Sequence, residues 1–169
     1  MKTKAILLTL LTTLSLFAGS MALPDLTMPG TGLTFKQIQG YEDYRIVATH
    51  YRTEKNELRY ILANPVAYQA LKEKQNPLPE GSVFVKIGWS AKEMPTFPAA
   101  LEADEIQRVE YMIKDSKRFD HDGDHWGYAR FVKKEGKYET WKGDTAECIA
   151  CHAIVKEDDY VFTRFQPVF

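Results

Sequence analysis

Cys148-Ile149-Ala150-Cys151-His152 contains the only two cysteines of the chain, spaced three positions apart with a histidine directly behind them. The C-x-x-C-H pattern is that of a c-type haem attachment site. Its chemistry uses every part of the spacing. Two thiols one helical turn apart can each form a thioether to a haem vinyl group. His152 then lies beneath the iron, where a neutral imidazole nitrogen is a good axial ligand. Rival uses of the pair fit less well. As a disulfide it would close a very small ring and constrain little of the unfolded chain. A structural zinc site needs four ligands, and the chain has no second cysteine pair. A thioredoxin-like redox motif belongs near a βαβ pattern, whereas this motif lies close to the C-terminus.

The sixth position of the iron decides what such a haem does. Met94, ahead of Pro95, is the candidate ligand for an electron carrier, because methionine ligation raises the potential. With that position open, the iron binds a small molecule chosen by the polarity around it. Lys86 and the acids Asp158 and Asp159 then matter. Lys86 interrupts an otherwise apolar strand, and lysine is rarely buried without a partner. It either snorkels to a solvated rim or serves the site. Asp158 and Asp159 follow the motif and are read as exposed loop acids or as acids facing the haem. Asp120-His121-Asp122-Gly123-Asp124 only faintly resembles a calcium loop. Its glycine is misplaced and no later bidentate glutamate follows, so it reads as a turn. His50, His121 and His125 have no metal-site spacing.

The elements that must hold these residues are mostly strands. Residues 1–22 read as a signal peptide: Lys2 and Lys4, an apolar run from Ala5 to Ala18, then Ser20-Met21-Ala22 as the small-residue cleavage site. That predicts an exported, periplasmic protein, with no membrane segment after cleavage. Residues 23–169 read as a single domain. With 22 basic against 23 acidic residues, the net charge of −1 favours no nucleic-acid partner. Leu23 to Leu33 reads as an extended arm, followed by a helical turn from Phe35 to Gly40. Ile46–Arg52 and Leu58–Ala63 read as a hairpin. Asn64-Pro65 opens a helix that runs to about Lys74.

Ser82–Trp89 is the most strand-like segment, with Phe84 and Lys86 on one face and Val83, Val85 and Ile87 on the other. Ser90 to Pro98 reads as a loop, Glu102 to Gln107 as a helical turn, and Val109–Lys114 as a half-exposed strand. Trp126–Lys133 and Tyr138–Trp141 add further strands. Asp144 with Glu147 resembles a capping box opening a helix from Thr145 to about Lys156, which carries the motif. Tyr160 to Phe169 reads as an apolar, β-prone tail. The fold class expected is mainly β (α+β): an antiparallel sheet domain with a C-terminal helix carrying the haem motif. The four long helices of a bundle cytochrome are missing.

Taken together, these residues resemble the cytochrome P-460 and cytochrome c′-beta family. The resemblance runs through Tyr44-Arg45, Ala63-Asn64-Pro65, the run from Leu78 to Lys86, and the run from Lys114 to Phe119. It continues through Trp126-Gly127, Cys148 to His152, and Val161-Phe162-Thr163-Arg164-Phe165-Gln166-Pro167. It implies one covalent haem c held by Cys148 and Cys151, His152 as proximal ligand, an open distal site and a homodimer. In the cross-linked branch, Lys86 matches a lysine bonded to the haem edge and Asp159 matches a distal acid. That branch oxidises hydroxylamine, and some members act on nitric oxide, with electrons passing to a partner cytochrome. In the c′-beta branch aromatic residues cap the iron, which binds nitric oxide or carbon monoxide, and Phe84 is the candidate cap. The function expected is binding or oxidation of a small nitrogen species. A non-enzymatic gas-binding protein and a simple electron carrier are the alternatives.

Overall fold

The computed structural model describes residues 22–166; most of the expected signal peptide and the last three residues of the tail lie outside them. Six antiparallel strands form one sheet in sequence order: β1 Arg45–Arg52, β2 Glu57–Ala63, β3 Val83–Met94, β4 Phe97–Lys114, β5 Trp126–Lys134 and β6 Lys137–Thr140. Each strand pairs with its chain neighbour; short turns join β1–β2, β3–β4 and β5–β6, while longer connections join β2–β3 and β4–β5. Helix α1, Pro65–Lys72, fills the β2–β3 connection, and α2, Ala146–His152, follows β6 and leads into a 3₁₀ segment, Ala153–Asp158. Among the described residues no helix is long and apolar enough to cross a membrane.

Side chains alternate across the sheet, and the two faces are covered by opposite ends of the chain. On the first face Val83, Val85, Ile87, Val109, Tyr111 and Phe131 pack against Met28, Leu33, Phe35 and Ile38 of the N-terminal segment. The expected arm is therefore part of the core. Phe35 stacks on Phe131 at 4.4 Å between ring centroids, and the Tyr111 hydroxyl donates to the Thr34 carbonyl at 2.7 Å. The second face carries Ala48, Ile61, Ala63, Phe84, Met112, Trp126 and Tyr128. It is covered by α1 and by Leu78 and Val161, with Cys148 and Ile149 of α2 packed against it.

Four expectations change. Ser90 to Pro98 is not a loop, nor is Glu102 to Gln107 helical. β3 and β4 continue past the sheet as a long hairpin that turns between Met94 and Phe97. Pro98 is tolerated because the register is irregular between Glu93 and Met94, and proline fits at such bulges. Val109–Lys114 is not half exposed: Val109, Glu110, Tyr111, Met112 and Lys114 are all buried, because both faces of the sheet are covered there. Residues 161–166 form no strand. Their end meets β1, where the Gln166 N–H donates to the Val47 carbonyl at 3.0 Å.

Candidate haem site

Helix α2 is short, passing after His152 into the 3₁₀ segment. Asp144 Oδ1 accepts from the Ala146 N–H at 2.9 Å, but Thr145 is the N-cap residue and caps no backbone group with its side chain. The capping box expected from Asp144 and Glu147 does not form. The helix is nonetheless long enough to set Cys148 and Cys151 one turn apart. Both thiols are free; Cys148 is half-buried against the second face and Cys151 is exposed. His152 ends the helix. Its Nδ1 lies 2.6 Å from the Tyr160 carbonyl, and its ring sits 4.7 Å from Tyr128 and 5.1 Å from Phe162 between centroids. A carbonyl only accepts, so Nδ1 carries the proton and Nε2 is left as the lone-pair nitrogen. Burial pushes the imidazole pKa below its usual value, partly offset by that hydrogen bond, and so favours the neutral ring.

On the sheet face beneath the helix, Lys86, Glu110 and Arg130 stand directly opposite one another on β3, β4 and β5. Glu110 forms ion pairs with both Lys86 and Arg130, and Arg108 approaches it at 3.5 Å. Burial alone would raise the Glu110 pKa, but Lys86, Arg130 and Arg108 overcome it and hold the carboxyl at about 2. Burial lowers the Lys86 pKa against the opposing pull of Glu110. The charges of Lys86 and Glu110 bear on the titration of both Cys148 and His152, so the row and the motif share one environment.

A second row lies farther along the same face. Glu57, fully buried, meets Arg59 at 2.5 Å and Arg108 at 2.6 Å. It reaches Arg108 across Gly88, where an added Cβ would come within 3.2 Å of the Glu57 carboxyl carbon. A side chain there would push the acid aside. The second face is thus apolar at Ala63, Phe84 and Met112, and charged from Lys86 outward.

The residues singled out from sequence divide accordingly. Phe84 is buried on the motif's side of the sheet, with its ring 5.9 Å from Trp126. Lys86 is half-buried beside it in the charged row. Asp159 stands apart from that row: its Oδ2 meets Lys114 Nζ at 2.6 Å and accepts from the Leu78 N–H at 2.8 Å. Met94 lies at the hairpin tip. Eight residues of strand separate it from Lys86, roughly 26 Å at about 3.3 Å per residue, so within one chain it is out of reach as a sixth ligand. Sequence reading missed Glu110 and Arg130, and also Asp124. That buried acid accepts from the Trp126 N–H and the Tyr128 hydroxyl, which fixes the ring beside His152. The signal for Glu110 was its parity, since counting back from Met112 puts it on the face that Phe84 and Lys86 share.

The family model for cytochrome P460 matches residues 38–163, a span holding all six strands, the charged row and the motif. The chain belongs to the cytochrome P460 family. Comparison with curated proteins gave no match. Membership in the cytochrome P460 family implies a haem cofactor, and the residues present fit one. Two free thiols one turn apart and an imidazole with Nε2 uncommitted are the donor set that a covalently held iron porphyrin needs. The face below offers apolar contact at one end. At the other, the cations Arg59, Lys86, Arg108 and Arg130 outnumber the carboxylates Glu57 and Glu110. That surplus suits an apolar macrocycle with two carboxylate arms.

Proposed function

We propose that this protein is an exported mono-haem c-type cytochrome that binds or oxidises a small nitrogen species, hydroxylamine or nitric oxide. Cys148 and Cys151 would be the thioether tethers and His152 Nε2 the axial ligand. The haem, when bound, supplies an iron that accepts electrons from a bound nitrogen atom and passes them to a redox partner. The row beneath the motif, a buried Glu110 between the half-buried cations Lys86 and Arg130, carries the reading. Glu110 is an ionised carboxylate held away from bulk water. It can accept a hydrogen bond from N–H or O–H groups of hydroxylamine and so orient them, while its low pKa makes it only a weak base. Lys86 and Arg130 keep it ionised and donate to oxygen. Lys86 is also the candidate second tether to the haem edge, since the register places it in the row beneath the motif.

Glu110, and not Asp159, is the acid assigned to this chemistry, because the strand register carries Glu110 beneath the motif, whereas Asp159 stands apart from that row on Lys114 and Leu78. The buried Phe84–Trp126 pair favours gas binding without turnover as the second reading, with Phe84 as the cap. Absorption spectroscopy of the ferrous protein, with denaturing mass spectrometry of its haem peptide, tests the assignment. A high-spin spectrum and a haem-bearing Cys148–His152 peptide are expected, joined to the Lys86 segment where the second tether forms. A low-spin, six-coordinate spectrum would sink the open-site reading. Hydroxylamine turnover that falls at least ~100-fold in Glu110→Gln at unchanged haem content separates the enzyme from the gas binder.

A further inference from the structure

The carbonyl that meets His152 comes from a strained turn. Asp159 and Tyr160 are consecutive left-handed residues, with φ of 53° and 62°, and neither is glycine. Side chains disfavour that region, and such conformations persist only where the surroundings over-determine them. Here they do. Within the turn the Asp159 N–H donates to Lys156, that of Tyr160 to Val155 and that of Val161 to Asp158. From outside, Asn76 Nδ2 donates to the Glu157 carbonyl at 2.8 Å. The Leu78 N–H and Lys114 Nζ both hold Asp159 Oδ2. Lys114 is anchored in turn: it is buried in β4, with its ammonium 5.7 Å from the Trp126 ring centroid.

We propose that Asp159 is a positioning residue for the iron's axial ligand. Its ion pair with Lys114 ties the turn to the sheet, so that the Tyr160 carbonyl is held on His152 Nδ1. This inference rests on His152 being the proximal ligand. A fixed, short hydrogen bond at Nδ1 orients the ring and makes the imidazole a stronger electron donor. That donation stabilises the oxidised iron and strengthens the iron–histidine bond. Asp159 thereby acts from the histidine side of the haem, without touching substrate.

The test is resonance Raman spectroscopy and redox titration of the ferrous holoprotein, with parent and variants compared. The parent should give an iron–histidine stretching band that moves on ¹⁵N-histidine labelling. In Asp159→Asn, which keeps the acceptor for Leu78 but removes the charge facing Lys114, that band should move to lower frequency and the midpoint potential should rise. Met94→Leu, at the far hairpin tip, should leave the band in place. Asp159→Asn also leaves Lys114 buried without its partner, so two further variants carry the same readout. Asp159→Asn with Lys114→Gln removes both charges, and Tyr160→Gly keeps the pair but frees the backbone bearing the carbonyl. The double variant should repeat the shift and Tyr160→Gly should broaden the band. An unmoved, unbroadened band in these haem-loaded variants would overturn the proposal. A parent without any histidine-sensitive band would instead remove the proximal assignment of His152, and this inference with it.

Discussion

The two faces of this sheet are built from the same strands, often from adjacent residues, yet they follow different packing rules. Val83, Val85 and Ile87 meet a lid of Met28, Leu33, Phe35 and Ile38, a core held by apolar burial. Phe84 and Lys86, one residue over, face the C-terminal segment and change from apolar to ionic within two positions. The first face has one task, stability. The second must also keep charged groups beside an apolar surface, which is costly unless every charge has a partner. Glu57 and Glu110 each serve two or more cations, and this partnering lets the charges stay buried.

The comparison can be broken in several ways. Replacing Cys148 and Cys151 together with alanine should abolish covalent haem by denaturing mass spectrometry. The apo chain should remain folded by circular dichroism, because the first face is untouched. Phe35→Ala should do the reverse. Deleting that fully buried ring should cost about 3–5 kcal/mol in urea titrations, while folded protein still carries haem.

The ionic half makes its own prediction with pH. The folded Glu110 value of about 2 lies below its ordinary 4.5, so the unfolded chain binds that proton more readily. The stability Glu110 contributes is complete above the ordinary value and lost as pH falls through 4.5 toward 2. Glu110→Gln should flatten the dependence of stability on pH over that interval, and an unchanged slope would dismiss the Glu110 ion pairs as a stabilising feature. Gly88→Ala tests the second row. Its Cβ would crowd Glu57, an overpacking cost of about 1–3 kcal/mol, with no change in haem content. The smallest effect is expected at the hairpin tip. Met94→Leu should leave the ferrous spectrum unchanged and stability within about 0.5 kcal/mol; a spectral change would bring the tip back toward the iron.

Much of this was legible from local pattern. Alternation separates Val85 from Lys86, Asn64-Pro65 opens α1, and the C-x-x-C-H spacing fixes a helical turn. The long hairpin was not legible, because Pro95 and Pro98 imitate a loop while the strands flanking them pair with each other. Glu110 escaped for a different reason. An acid alternating with apolar residues is the ordinary mark of a solvated face, and only a second layer over the sheet turns it into a buried partner for Lys86 and Arg130.

Sequence alone brings the proposed donor set together: Cys148, Cys151 and His152 are neighbours in the chain, so their geometry needs only one turn of helix. The tertiary structure decided which acid lies beneath them. Asp159, close to His152 in sequence, is drawn to Lys114, whereas Glu110, far away in sequence, is carried beneath the motif by the register of three strands. Spacing along a chain specifies contacts within a helix. Contacts across a sheet depend on which strands pair and in what register, and that choice is made by burying the whole face at once.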